Sequence, residues 1–171
     1  MTALTRIEVR GFRSLRDVSV QLGRVNVLIG ANGAGKTNLV SFFKLLGYST
    51  TGALQRYVAE QGSADDQLFL GARTTPVLEA KLTFDVDGKE DIYLARLAHA
   101  AGDTLVFVEE QISFHDPQAH AAPYVKSLGA GHRESRLEEE AGQALATAKI
   151  AKVVRWCLSQ CKTYHFHDTS R

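Results

Sequence analysis

Apolar positions divide this chain into segments of different period. Ile7 and Val9 share one face of a strand over 5–10. Val18, Val20 and Leu22 then alternate with Ser19 and Gln21, and Gly23 closes the run. Val25-Asn26-Val27-Leu28-Ile29 lacks clean alternation and suits a strand buried on both faces. The period then lengthens. Leu39, Val40, Phe42, Phe43, Leu45 and Leu46 predict a helix opening near Lys36 and running to about Leu46, where Gly47 and the cluster Ser49-Thr50-Thr51-Gly52 end it.

Leu54, Tyr57 and Val58 allow one or two further helical turns, and 62–66 reads as polar loop. From Val77 the alternation returns, with Leu78, Ala80, Leu82, Phe84 and Val86 on one face, followed by the hairpin dipeptide Asp87-Gly88. A second strand over about Asp91 to Ala98, a turn at Ala101-Gly102-Asp103 and a third strand over Thr104 to Phe114 complete an antiparallel meander. The stretch from His115 to His132, with Pro117, Pro123, Gly129 and Gly131, reads as turns. Ser135-Arg136-Leu137-Glu138 has capping-box spacing and predicts a long helix to about Gln160, followed by a strand around Tyr164 and Phe166.

The strand–helix junction at residue 30 carries the chemistry. Gly30-Ala31-Asn32-Gly33-Ala34-Gly35-Lys36-Thr37 fits G-x-x-x-x-G-K-[ST] between an apolar run and a helical one. In such a loop the glycines let successive backbone N–H groups point inward at phosphate oxygens, and the helix N-terminus adds unpaired donors and partial positive charge. Asn32, Gly33, Ala34, Gly35, Lys36, Thr37 and Asn38 are therefore candidate nucleotide-binding residues. Lys36 would reach the β- and γ-phosphates, and the Thr37 hydroxyl would ligate Mg²⁺. The expected cofactors are ATP and Mg²⁺. The absence of an Asn-Lys-x-Asp guanine-reading motif favours ATP over GTP.

Composition adds bounds. With 171 residues, 44% hydrophobic and 23% charged, the chain suits one globular domain. A net charge of +1 argues globally for neither nucleic acid nor membrane surfaces. Arg6, Arg10, Arg13, Arg16 and Arg24 give the first 24 residues a mild basic bias, which a solvated strand face accounts for as well as DNA does. No run approaches the ~20 apolar residues of a membrane span, and no secretory pattern opens the chain, so the expected location is cytoplasmic. Cys157 and Cys161 are too few for a disulfide framework, and with His165 and His167 they match no common zinc spacing.

The residues Ile7-Glu8-Val9-Arg10-Gly11-Phe12-Arg13-Ser14-Leu15, together with Leu28-Ile29 and the loop through Asn38-Leu39, resemble the amino-terminal lobe of ABC-type ATPase heads. The closer similarity is to the RecF, SMC and OLD-like branch and its predicted bacterial AAA-type ATPases, through Asn32, Asn38 and Phe12-Arg13-Ser14. Gly131-His132-Arg133-Glu134-Ser135 and the segment from Tyr164 to Ser170 are similar to it less specifically. The resemblance implies an α/β P-loop fold with a mixed sheet and an antiparallel β-meander subdomain. It implies that Arg13 contacts the nucleotide from the edge of the site, and that Phe166 to Ser170 leads toward a loop sensing the γ-phosphate, which makes His167 and Asp168, and after them Gln111, further site candidates.

The family's heads also use an apolar strand ending in Asp-Glu and a Leu-Ser-x-Gly signature. Leu105-Val106-Phe107-Val108-Glu109-Glu110 imitates the first, but it has Glu where Asp belongs and lies within the meander. Leu158-Ser159-Gln160-Cys161 lacks the signature glycine. The expectation is a single incomplete domain over 1–171: strands, phosphate loop and first helix over 1–48, an antiparallel subdomain over 76–115, and a long helix plus strand over 133–171. Such a truncated lobe would bind nucleotide without hydrolysing it, while the intact protein would be an ATPase working as a homodimer of heads closed on ATP. DNA is a partner the resemblance allows and the sequence does not show. The alternative is a non-catalytic nucleotide-binding or interaction module. A P-loop small-molecule kinase lacks any visible lid arginine cluster.

Overall fold

The computed structural model describes residues 2–160. One six-stranded sheet in the order β2-β1-β3-β4-β5-β6 forms the body of the protein. Its strands are β1 (Thr2–Phe12), β2 (Leu15–Gln21), β3 (Val77–Val86), β4 (Lys89–Ala100), β5 (Thr104–His115) and β6 (Tyr124–Gly129). Every pairing is antiparallel. The helices are α1 (Lys36–Thr50), α2 (Leu54–Glu60), α3 (Leu137–Ala141) and α4 (Thr147–Gln160).

Strand alternation decides what each face of the sheet does. Ile7 and Val9 of β1, Leu78, Ala80, Leu82 and Phe84 of β3, and Tyr93, Ala95 and Leu97 of β4 are all buried and belong to one core. Leu39, Phe42, Leu45 and Leu46 of α1 join them, with Phe42 edge-on to Phe12 at 5.7 Å. Each Val, Leu, Ile or Phe among them contributes roughly 1.5–3 kcal/mol on full burial. The intervening residues build a lattice of ion pairs instead. Glu8 pairs with Arg6 and Lys81, and Glu79 pairs with Arg10 and Arg96. The basic residues Arg6 and Arg10 thus spend their charge on neighbouring carboxylates.

A bulge in β5 reverses this alternation. Arg96 pairs with Glu109 and Leu97 with Phe107, so Val108 is the extra residue. Leu105 and Phe107 face the core before it. Beyond it Glu110 and Ile112 do, while Glu109 bonds Arg96 and Val108 is exposed.

Several expectations are corrected. The sheet is wholly antiparallel rather than mixed, and the meander β3–β5 is its centre, joined through β1, rather than a separate subdomain. Val25 to Ile29 is not a strand: it has no ladder partner, and Val25 and Ile29 are 84% and 90% exposed. An apolar strand meant for burial on both faces forms only when strands flank it. The turn-rich stretch after His115 contains β6, which pairs with β5. The long helix is broken between α3 and α4, where the Gly142 N–H bonds back to Glu138 and Glu139. Ser135 does not cap α3, because the cap position is Arg136. The expected strand around Tyr164, with Cys161, His165, His167 and Asp168, lies outside the described residues. Cys157 is buried on α4.

Candidate phosphate-binding site

The hairpin turn between β1 and β2 and the loop before α1 meet at one end of the sheet. Gly11 leads into that turn at φ 74°, and an added Cβ there would lie 2.5 Å from Thr75 Cγ2 and 2.8 Å from the Val77 carbonyl oxygen. Only glycine fits so close an approach. Arg13 follows in the left-handed region at φ 47°. It is held there by its N–H on the Gln67 carbonyl at 3.0 Å and by its guanidinium on Gln67 Oε1.

Ser14 comes next and is carried to the phosphate loop. Its Oγ accepts a 2.7 Å hydrogen bond from Asn38 Nδ2 in the first turn of α1. Together with Asn32, Gly33, Ala34, Gly35, Lys36, Thr37 and Asn38 it lines a cleft of about 360 Å³. The loop residues singled out in the sequence are therefore brought together. Arg13 is not among the walls of this cleft: its guanidinium is taken up by Gln67 and lies 5.3 Å from the Phe12 ring centre. The sequence signal for Ser14 was its place after Phe12-Arg13, where a turn residue in left-handed conformation redirects its successor.

The loop's backbone explains its glycines. Gly33 and Gly35 sit at φ 87° and 91°, which residues with a Cβ rarely adopt. Gly35 is the N-cap of α1. No side chain caps this helix, and its first turn holds no acidic residue. A helix start left this way has donors without acceptors and favours an anion. Lys36 Nζ donates to the carbonyl oxygens of Gly30 at 2.6 Å and Ala31 at 2.8 Å, so the ammonium bridges the loop's own backbone.

These groups fit a polyphosphate: backbone donors, a positive helix end and one ammonium, with no carboxylate in the cleft to repel it. For Mg²⁺ the chain offers the exposed Thr37 hydroxyl, so the remaining ligands would be phosphate oxygens and water.

The two segments that imitate or resemble other ATPase features serve the scaffold. Glu110, at the end of the imitation acidic strand, is fully buried and far from any loop chemistry in its bonding. Its Oε1 accepts from the hydroxyls of Tyr93 and Ser135, and its Oε2 accepts from the Arg136 N–H at 3.0 Å and faces His132 Nε2 at 2.8 Å. Burial pushes the Tyr93 phenol well above its ordinary pKa and keeps it a donor. His132 also stacks on Phe107 at 4.8 Å.

Glu134 takes the free N–H groups of Leu54 and Gln55, capping α2, and the Ser135 N–H reaches Ser49 at the end of α1. Gly131 to Ser135 thus fastens β5 to the end of α1 and the start of α2. Among the described residues no cluster of His, Cys, Asp and Glu could hold a metal, and no helix is long and apolar enough to cross a membrane.

Residues 3–90 match a family model described as AAA ATPase domain, a span holding β1, β2, the phosphate loop, α1, α2 and β3. The chain is also 30% identical over 82 residues to the OLD nuclease of Thermus scotoductus. That stretch is 48% of this chain and 14% of the relative, so the chain spans a small part of that protein's length. With its model covering just over half of the 171 residues, and the cleft formed inside that span, the chain belongs to the AAA ATPase domain family.

Proposed function

We propose that this chain binds ATP with its Mg²⁺ in the cleft between Ser14 and the 30–38 loop, as the amino-terminal lobe of an ABC-type P-loop ATPase of the RecF/SMC/OLD-like branch. The observation that carries this reading is the uncapped start of α1 behind two left-handed glycines, with Lys36 at its first position. Asn32 to Lys36 would hold the phosphates through backbone N–H groups, and Lys36 would exchange its bonds to Gly30 and Ala31 for phosphate oxygens. Thr37 would ligate the metal, which neutralises charge on the phosphates when bound.

Hydrolysis needs more than this cleft contains. A water must be positioned for in-line attack, and phosphoryl transfer depends on that positioning. No carboxylate lines the cleft. The exposed run Val25, Val27, Leu28 and Ile29 beside the loop fits a strand awaiting further sheet, and a complete head would place its acidic strand there. Two such heads closing on ATP would form the working dimer. The missing carboxylate also favours a second reading of this chain by itself, a nucleotide-binding module that signals occupancy without turnover.

A phosphate-release assay on the purified chain with MgATP tests the division. Turnover at the level of the Lys36→Ala variant is expected. Appreciable turnover that vanishes in Lys36→Ala would show that the chain alone carries a complete catalytic site.

A further inference from the structure

A second cleft lies at the opposite kind of surface, between the Val86–Lys89 end of the sheet and the start of α4. It has a volume of about 650 Å³ and apolar walls from Val86, Phe114, Tyr124, Leu145, Ile150 and Val153. Tyr124 and Leu145 are each 57% exposed. One charged wall residue is buried. Asp91 is on the core-facing side of β4, in register with Phe84 of β3 and Phe114 of β5. It is 96% buried, having a relative exposure of 4%, yet it lines the cleft.

Among the described residues no hydrogen bond or ion pair reaches the Asp91 carboxyl, and desolvation alone raises its pKa to about 6. At neutral pH it is therefore mostly an anion set in an apolar wall, an arrangement that is costly without a partner. Lys89, Lys126 and Lys149 also line the cleft. They do not pair with Asp91: Lys89 pairs with Asp116 at 2.8 Å, and among the described residues no lysine lies within ion-pair distance of the Asp91 carboxyl.

We propose that this cleft is a binding site for a small amphipathic amine, whose ammonium bonds Asp91 while its hydrocarbon body fills the space between Phe114, Ile150 and Val153. Contact with Asp91 sets the ligand's one cationic group, and the apolar walls set its body. The three lysines oppose any charge beyond the one that Asp91 holds, so the ligand is a monocation rather than a polyamine. The site is separate from the phosphate loop in both residues and chemistry.

Calorimetric titration of the full chain with dodecylamine, 1-dodecanol and dodecanoate, each below its micellar concentration, tests this. Dodecylamine is expected to bind one-to-one and at least tenfold more tightly than the alcohol. Asp91→Asn is expected to bring the amine down to the alcohol's affinity while leaving the alcohol unchanged. On the unaltered chain, the carbon-13 resonance of the Asp91 carboxyl should shift with the amine and not with the alcohol, which keeps the test sound if the variant folds poorly. Amine binding no tighter than the alcohol's, dodecanoate as the tightest ligand, or an Asp91 resonance indifferent to the amine would each overturn the proposal.

Discussion

Ser14 Oγ accepts a 2.7 Å hydrogen bond from Asn38 Nδ2, tying the β1–β2 turn to the first turn of the helix that opens at the phosphate loop. The bond joins residues 24 apart in sequence, and an added Cβ at Gly35 would lie 3.3 Å from the same Ser14 Oγ. The turn thus supplies one wall residue of the cleft. Loop position and helix start are coupled through it.

This coupling is measurable. Ser14→Ala and Asn38→Ala are each expected to weaken MgATP binding several-fold, with the double variant no worse than the poorer single one. A double-mutant cycle on calorimetric affinities should give a coupling of about 0.5–1 kcal/mol, as for a neutral exposed hydrogen bond. Additive effects would mean that the pair does not act as a unit.

Glu110 is the polar hub of the core. Glu110→Ala would orphan the buried Tyr93 hydroxyl and the part-buried donors of Ser135 and Arg136 together, and open a cavity beneath His132. A loss of about 3 kcal/mol or more in urea unfolding is expected. The outer-face neighbour provides the contrast. Glu109 bonds a half-exposed Arg96, and Glu109→Ala should cost less than about 1 kcal/mol. Similar losses for the two would contradict the face reversal at Val108.

Asp91 gives stability a pH dependence of unusual sign. Burial raises its pKa from 3.8 to about 6, so the folded state holds the proton more tightly than the unfolded chain. This group therefore favours the folded state below pH 4, loses that effect as pH rises through 6, and imposes its full cost above it. Asp91→Asn is expected to stabilise the fold at pH 8, by up to about 3 kcal/mol less the cost of burying the amide, and so to raise Tm there while changing it little at pH 4. Thermal melts at the two pH values check this. An equal shift at both would assign the effect to packing.

The meander was legible because its alternation is regular and Asp87-Gly88 marks the first turn. The glycine turn over 30–35 and the helix start at Lys36 were legible because the glycine positions there answer to backbone geometry, independent of the rest of the fold. Val25 to Ile29 was not, since hydrophobic content expresses a strand only where neighbours supply hydrogen bonds. β6 was hidden among Pro123, Gly129 and Gly131, whose turn chemistry outweighs a short edge strand in any local reading. Gly142 was the one local sign of the break between α3 and α4. The inward turn of Glu110 depends on a bulge at Val108 that alternation cannot reveal. Asp91 looked like the polar boundary of a strand, and only the sheet register shows it on the buried face.

The central claim is that the loop over 30–38 is a working nucleotide site. Calorimetric titration of the purified chain with MgATP, beside the Lys36→Ala variant and with both confirmed folded by circular dichroism, tests it most directly. Saturable binding to the unaltered chain, weakened at least tenfold in Lys36→Ala, is the predicted result. A folded chain that takes up no MgATP, or one that binds it equally well without Lys36, would contradict it.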